Sequence, residues 1–285
     1  MERRKTMVKF LTFEQFHNKK GIGSTNIRVH QLLKYWPEAS IYRYGENADC
    51  MIFQKVYCGL DYKFPAHFEG KKILDICDPD WMQGRVFVKE TVDAVDAVTC
   101  PTEVMQRFIQ QMTNKPVVVI KDRFDIELVP EPKPHDKEAK TVVWFGYRHN
   151  AELLKPAMHV IDELGLNLII IADDDPILYQ YSTRDRHDFY EFVKYNEDTF
   201  YENMQKADYA LLPQGFRPQD VFKSENKTIK AKLAGLPVAR TADDMRKFAD
   251  PKERQLSIDT DYANIKQEYD VRKSVKEMKE LIASL

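Results

Sequence analysis

Residues 129–138, Val129-Pro130-Glu131-Pro132-Lys133-Pro134-His135-Asp136-Lys137-Glu138, interrupt an otherwise regular alternation of short apolar runs with amphipathic stretches. Proline fixes φ and lacks a backbone donor, and charged residues with few apolar neighbours bury little, so such a stretch reads as a linker. The chain has 285 residues, long for one core, and two domains of roughly 130 residues each are expected. The division expected is a first domain at 1–128, a linker at 129–140, a second domain at 141–260 and a terminal segment at 261–285.

On the N-terminal side of that break, residues 7–13 read as a strand, a polar glycine-containing loop follows, and a helix is expected at 26–36. Strands are expected at 40–44, 50–56, 72–77, 97–100 and 117–120, with a helix at 102–112. On the other side, strands are expected at 141–145, 167–171, 189–194 and 209–212, with helices at 151–164 and 199–206. Strands that alternate with helices form parallel sheets, so both halves are α/β. In 261–285, Ile265, Tyr269, Val275, Met278, Leu281 and Ile282 recur at near-helical spacing among charges.

Composition narrows the partner classes. The chain is 43% hydrophobic and 31% charged with a net charge of −2, enough to fill ordinary cores and giving no global attraction to nucleic acid or anionic membrane. Cys50, Cys58, Cys77 and Cys100 form no C-x-x-C pair, and read as buried free thiols in a reducing compartment rather than a zinc site. No run reaches the roughly 18 apolar residues of a membrane span, and the charged start has no signal-peptide pattern. A cytoplasmic location is the expectation.

Chemistry concentrates in one run. Ala207-Asp208-Tyr209-Ala210-Leu211-Leu212-Pro213 is followed by Lys223-Ser224-Glu225-Asn226-Lys227-Thr228-Ile229-Lys230, then by Leu233-Ala234-Gly235-Leu236-Pro237-Val238-Ala239. This is a strand, a basic turn opening a helix, and a small-residue step into another strand. Free N–H groups and the positive dipole end at a helix N-terminus bind anions, with Ser224 or Asn226 able to cap and Lys223 and Lys227 supplying charge. The plainer alternative is a capped helix with solvated lysines. A second candidate loop, Trp144-Phe145-Gly146-Tyr147-Arg148-His149-Asn150, lets the backbone turn at Gly146 and offers a forked phosphate contact from Arg148. It also fits an ordinary strand-to-helix connection.

The same run resembles the donor-binding segment of nucleotide-sugar-dependent glycosyltransferases with the GT-B fold, where a strand ending in Pro precedes a Lys-Ser-x-Asn-Lys turn and a Gly-x-Pro-Val step. The resemblance implies two Rossmann-like domains facing across a cleft, with the C-terminal helix returning to the first domain. It implies a second domain holding the nucleotide sugar at Gly146, Arg148, Lys223, Ser224, Asn226 and Lys227, with the strand ending near Tyr195 holding the base. Tyr195 can stack on that base or simply be half-buried. The first loop, with Gly21, Gly23 and Ser24, would border donor phosphate and acceptor. Many retaining relatives carry a glutamate for the ribose hydroxyls five residues before the glycine of the Gly-x-Pro-Val step. This chain has Lys230 there, and an ammonium only donates.

The activity implied is transfer of a sugar, a hexose from a UDP-sugar such as UDP-glucose, to an acceptor hydroxyl. For the acceptor side, Asp78 and Asp80 follow an apolar strand where a carboxylate can orient or deprotonate a hydroxyl, although an Asp-Pro turn accounts for them equally. Histidine's unperturbed pKa lies close to neutral pH, so His17 is a candidate base, or a solvated loop histidine. There is no complete G-x-G-x-x-G, which disfavours a nicotinamide oxidoreductase. Asp173-Asp174-Asp175 reads as a solvated acidic turn, and with lysines to stabilise the leaving diphosphate, no metal and no cofactor beyond the co-substrate are expected. Basic and aromatic residues Arg3, Arg4, Lys5, Phe16, Lys19, Lys20, Arg28, Tyr35 and Trp36, and a second group at 179–186, suggest DNA with a hydroxymethylated base as one acceptor. A glycan, lipid-linked sugar or small metabolite is the other. A non-catalytic nucleotide or sugar-phosphate binding protein, and an epimerase or hydrolase, are the alternatives on the same scaffold.

Overall fold

A computed structural model of the chain describes residues 6–57, 65–83, 87–215 and 217–285. Cys58, Arg3, Arg4 and Lys5 lie outside these residues. Contacts divide the chain into two units, the first made of residues to Asp125 with Arg217–Ser224 and Tyr269–Leu285, the second of Ile126–Phe216 with Glu225–Glu268.

The first unit is built on β1 (Val8–Thr12), β2 (Ala39–Ile41), β3 (Cys50–Gln54), β4 (Lys71–Asp75), β5 (Ala97–Cys100) and β6 (Val117–Val119). They form one sheet in the order β2-β1-β3-β4-β5-β6, with every pair parallel. Every residue of β3 and β5 is buried, as expected of interior strands in a parallel sheet covered on both faces. The pleat sorts them: Cys50 and Ile52 join Val8, Phe10 and Ile73 on one face, while Met51 and Phe53 join Leu11, Leu74 and Val98 on the other.

The first face is closed by the helix Val271–Ser284, whose Val271, Val275, Met278, Leu281 and Ile282 belong to that core. The expected continuous stretch at 261–285 is two helices, because Pro251–Glu268 ends before a break at residues 269–270. There the chain is extended and bridged to Phe124, with Phe124 N–H donating to Tyr269 (2.9 Å) and Val271 N–H to Phe124 (2.9 Å). The Asp270 carboxylate then caps the new helix at Arg272 N–H.

On the second face the helix Glu103–Gln110 starts at Thr102, whose hydroxyl accepts from Met105 N–H at 3.2 Å. The helix expected at 26–36 starts earlier, spans residues 23–34, and contains a π segment, Asn26–His30. The stretch Arg217–Ser224 is fastened to this unit by Phe222, which packs edge-on to Trp81 and Phe108 with centroids 5.5 Å apart in each case. Cys50, Cys77 and Cys100 are buried free thiols.

The second unit contains β7 (Thr141–Gly146), β8 (Asn167–Ala172), β9 (Tyr190–Lys194), β10 (Tyr209–Leu211) and β11 (Val238–Ala239), in the order β11-β10-β7-β8-β9. All pairs are parallel. The helix expected at 151–164 is α-helical only over Met158–Glu163, because Pro156 removes a donor from the preceding turn, which runs as a 3₁₀ segment, Arg148–Ala157. The proline-rich residues are fastened to this unit. His135 Nε2 lies 2.9 Å from the Gly235 carbonyl and its N–H donates to Gln255 at 3.0 Å. Gly235, with φ 74°, leaves only 2.7 Å between a hypothetical Cβ and Pro132, so a side chain there has neither the backbone nor the room.

Among the described residues, no helix is long and apolar enough to cross a membrane.

Candidate functional site

In the second unit the strand order reverses between β7 and β10, and ligands of open α/β sheets bind beyond the carboxyl ends of strands at such a point. Gly146 ends β7 there with φ 150°. The helix Asn226–Leu233 follows β10, and a Cβ on Gly146 would collide with Lys227 Nζ and come within 3.2 Å of Trp144. The Lys227 ammonium sits 4.9 Å from the Trp144 ring centroid. A glycine, a helix N-terminus and a lysine therefore converge on the switch point. That combination suits a phosphate, since backbone and cation both approach without an intervening side chain.

One turn further along the helix, Lys230 is only 9% exposed. Its Nζ lies 4.8 Å from the Phe200 ring centroid and 6.0 Å from that of Tyr195. Burial lowers its pKa below the ordinary lysine value, and the charge of Glu197 partly opposes that shift. Tyr195 follows β9, its N–H donating to Ala172 at 2.8 Å, and Ala172 is the register partner of Gly146. Gly146, Ala172 and Tyr195 thus line one edge of the sheet. The Tyr195 hydroxyl donates to Glu197, and burial, then that carboxylate, hold the phenol above its usual pKa.

Other expected donor residues are engaged differently. Arg148 is exposed, and its guanidinium donates to Asp174 at 2.6 Å while its N–H donates to Asp173 at 2.6 Å. The acidic run at 173–175 is therefore pinned rather than simply solvated, with Asp175 accepting from Tyr190 at 2.6 Å. Neither Ser224 nor Asn226 caps the helix: Glu225 holds the N-cap position without a side-chain cap bond, and Asn226 is the first helical residue. Ser224 belongs to the first unit, where its hydroxyl donates to Asp122, and Lys223 pairs there with Asp220 at 3.1 Å.

In the first unit the order reverses between β1 and β3. Gly21 has φ 72°, and Gly23 and Ser24 lie in the first turn of the helix that follows. Lys55, just past β3, is held at φ 60°, an uncommon conformation for a non-glycine residue. Its Nζ donates to Asp78 at 2.7 Å and lies 3.0 Å from Asp80. The Tyr57 hydroxyl donates to Asp80 at 2.9 Å. The two candidate carboxylates therefore share one lysine, which draws both toward a common point. His17 packs on Phe13 with ring centroids 4.3 Å apart.

Arg28 does not face solvent as the basic patch requires. It is 6% exposed, bidentate to Asp75 at 2.6 and 2.8 Å, and bonded to Asp122 at 2.7 Å. Trp36 is buried as well, and Tyr35 donates to Asp125 at 2.7 Å. In the second group, Arg186 covers Tyr179 at 4.6 Å and pairs with Asp175 at 3.3 Å.

No family profile matches this sequence, and no curated protein matches it. Solved structures do. HepE from Anabaena, crystallised with UDP, superposes with a TM-score of 0.72 over 98% of this chain and 100% of its own at 14% identity. An α-glucosyltransferase in complex with UDP and a 13-mer DNA containing a HMU base reaches 0.69, covering 98% and 100% at 9% identity. AviGT4, a glycosyltransferase involved in avilamycin A biosynthesis, reaches 0.57, covering 99% of each chain at 12% identity. The chain has the GT-B fold.

With the GT-B fold in hand, the residues that sequence reading passed over can be named. Trp144, Glu197, Lys55, Asp75 and Asp122 were not singled out, because each acquires its place through contacts distant in sequence. Lys230 stood out only as a departure from the resembling pattern, and its burial among Tyr195 and Phe200 comes from structure alone. The pairing of Gly146 with Lys227 was within reach, since Gly146 ends one strand and Lys227 lies in the first turn of the helix after another strand of the same parallel sheet.

Proposed function

We propose that this protein is a metal-independent glycosyltransferase that moves a hexosyl unit from a UDP-sugar to an acceptor hydroxyl. The convergence of Gly146, Lys227 and the N-terminus of Asn226–Leu233 at the β7/β10 switch point carries the reading. Neighbours of the same fold crystallised with UDP support it. As the glycosidic bond breaks, negative charge grows on the leaving diphosphate, and a preoriented lysine and helix terminus stabilise it without reorganising. This supplies in protein charge what a cation would supply elsewhere. Asp78 and Asp80, drawn together by Lys55, hold the acceptor hydroxyl in the first unit. Arg28, Trp36 and Arg186 are taken up by internal contacts, which favours a glycan or small-molecule acceptor over DNA. The site of action is the cytoplasm, where Cys50, Cys77 and Cys100 remain thiols.

Calorimetric titration with UDP and UMP, followed by an acceptor panel that includes hydroxymethylated DNA with UDP release as the readout, tests this. UDP binding tighter than UMP and acceptor-dependent release are expected. Saturable UDP binding with no release under any acceptor would instead mark a binding module.

A further inference from the structure

The proline-rich stretch that reads as a linker carries a buried imidazole. His135 is 5% exposed, whereas His149, His159 and His187 of the same unit are exposed. Two partners settle its tautomer. The Gly235 carbonyl, 2.9 Å from Nε2, can only accept, so Nε2 carries the proton. Arg254 Nε, 3.4 Å from Nδ1, can only donate, so Nδ1 offers its lone pair. A second proton would go to Nδ1, where it meets a guanidinium instead of an acceptor.

The partners belong to separate elements. Gly235 lies just past the helix Asn226–Leu233, and Arg254 and Gln255 lie on the helix Pro251–Glu268. Gln255 accepts from His135 N–H at 3.0 Å. Arg254 is 1% exposed, and its other nitrogens donate to the carbonyls of Phe248, Ala249 and Lys137, so it cannot swing away from a charged ring without abandoning them. Asp208, Tyr209 and Asp250 face that guanidinium. Lys133, on the same stretch as the histidine, pairs with Asp208 at 3.4 Å. Asp208 is held in turn by the N–H groups of Lys140 and Thr141 at 2.7 and 2.9 Å. Burial keeps the imidazole below the ordinary histidine value of 6.5; the Gly235 carbonyl opposes this, the charges of Arg254 and Lys133 add to it, and Asp208 opposes it. Upstream, Pro130 and Glu131 have fasteners of their own in Tyr262, Gln205 and Lys266.

We propose that His135 is an acid-released latch: while neutral it fastens residues 132–138 to both helices, and a proton on Nδ1 breaks its contact with Arg254 and frees that stretch while the sheet of the second unit stays folded. The latch stands apart from the sugar-transfer reading, since its contacts include neither Gly146 nor Lys227. With the folded pKa below 6.5, its contribution is fully present above 6.5 and is lost as pH falls through the folded pKa.

The test is amide hydrogen exchange of the full chain from pH 7.5 to 5.0, corrected for the intrinsic pH dependence of exchange. It is read on residues 133–138 and, as the internal control, on β7. Below pH 6.5 exchange at 133–138 should rise by up to about tenfold per pH unit until the folded pKa is passed, with β7 unchanged. His135→Gln, checked for folding by circular dichroism, has an amide that takes no proton in this range and should exchange at 133–138 with no such rise. A flat wild-type profile at 133–138, or an equal rise in β7, overturns the latch whether or not the variant folds. An undiminished rise in folded His135→Gln overturns it as well.

Discussion

The carboxyl edges of the two sheets handle their cations in opposite ways. In the first unit Arg28 is matched by Asp75 and Asp122, and Lys55 by Asp78 and Asp80, so each cation is outnumbered by the carboxylates around it. In the second, Lys227 and Lys230 are laid against Trp144, Phe200 and Tyr195. An aromatic face attracts a cation through its quadrupole and carries no formal charge to cancel it. The first edge therefore spends Arg28 and Lys55 on holding carboxylates in place, whereas at the second Lys227 and Lys230 pack on aromatic faces.

The contrast can be broken most severely at Arg28. Arg28→Met leaves Asp75 and Asp122 buried without their cation, and should lower unfolding free energy by about 3–5 kcal/mol. Urea denaturation measures this, and a loss under about 1 kcal/mol would show that the carboxylates are not held by Arg28 as described. On the other edge, Lys227→Ala should cost about 1.5–3 kcal/mol of UDP affinity while leaving the urea midpoint nearly unchanged. A large stability loss without an affinity loss would reverse the two roles.

Gly146→Ala tests the same position from the strand side. Its φ of 150° and the Cβ collision with Lys227 should cost about 1–3 kcal/mol, divided between folding strain and displaced lysine. Both the urea midpoint and the UDP titration should move. The smallest effect concerns Lys230. Its folded pKa is depressed below the ordinary 10.5, so its contribution to stability is fully present above that value and is lost as pH falls through the folded pKa. Lys230→Met should therefore match or exceed wild type near neutrality, by about 1 kcal/mol or less, and should flatten the rise in stability toward pH 10.5. A variant that retains the wild-type slope would locate the titrating group elsewhere.

The frame of the molecule was legible wherever a local pattern decides the outcome. The run Ala97–Cys100 is apolar and β-prone and forms a strand with the expected bounds. Gly146 and the Lys227 turn each follow a strand, and parallel topology alone brings such turns to one edge. What stayed hidden depends on partners remote in sequence. The amphipathic spacing of 261–285 carries no sign that Phe124 bridges to Asp270 and divides it into two helices. Arg28 reads as one more basic residue near aromatics, because nothing local reveals Asp75 and Asp122 waiting behind it. Ser224 looks like a cap by its position before a helix, yet its hydroxyl is claimed by Asp122.

The passage of the chain between the units at 125–126, 216–217, 224–225 and 268–269 bears on biosynthesis. Residues to Asp125 are made before the second unit, yet the hydrophobic face bearing Phe10 and Ile52, already packed by Val29, Leu32 and Trp36, is completed only when Val271–Ser284 has been made. The earlier-born sheet is the later-completed one, so the nascent polypeptide must keep an unfinished apolar surface from aggregating throughout translation of the second half.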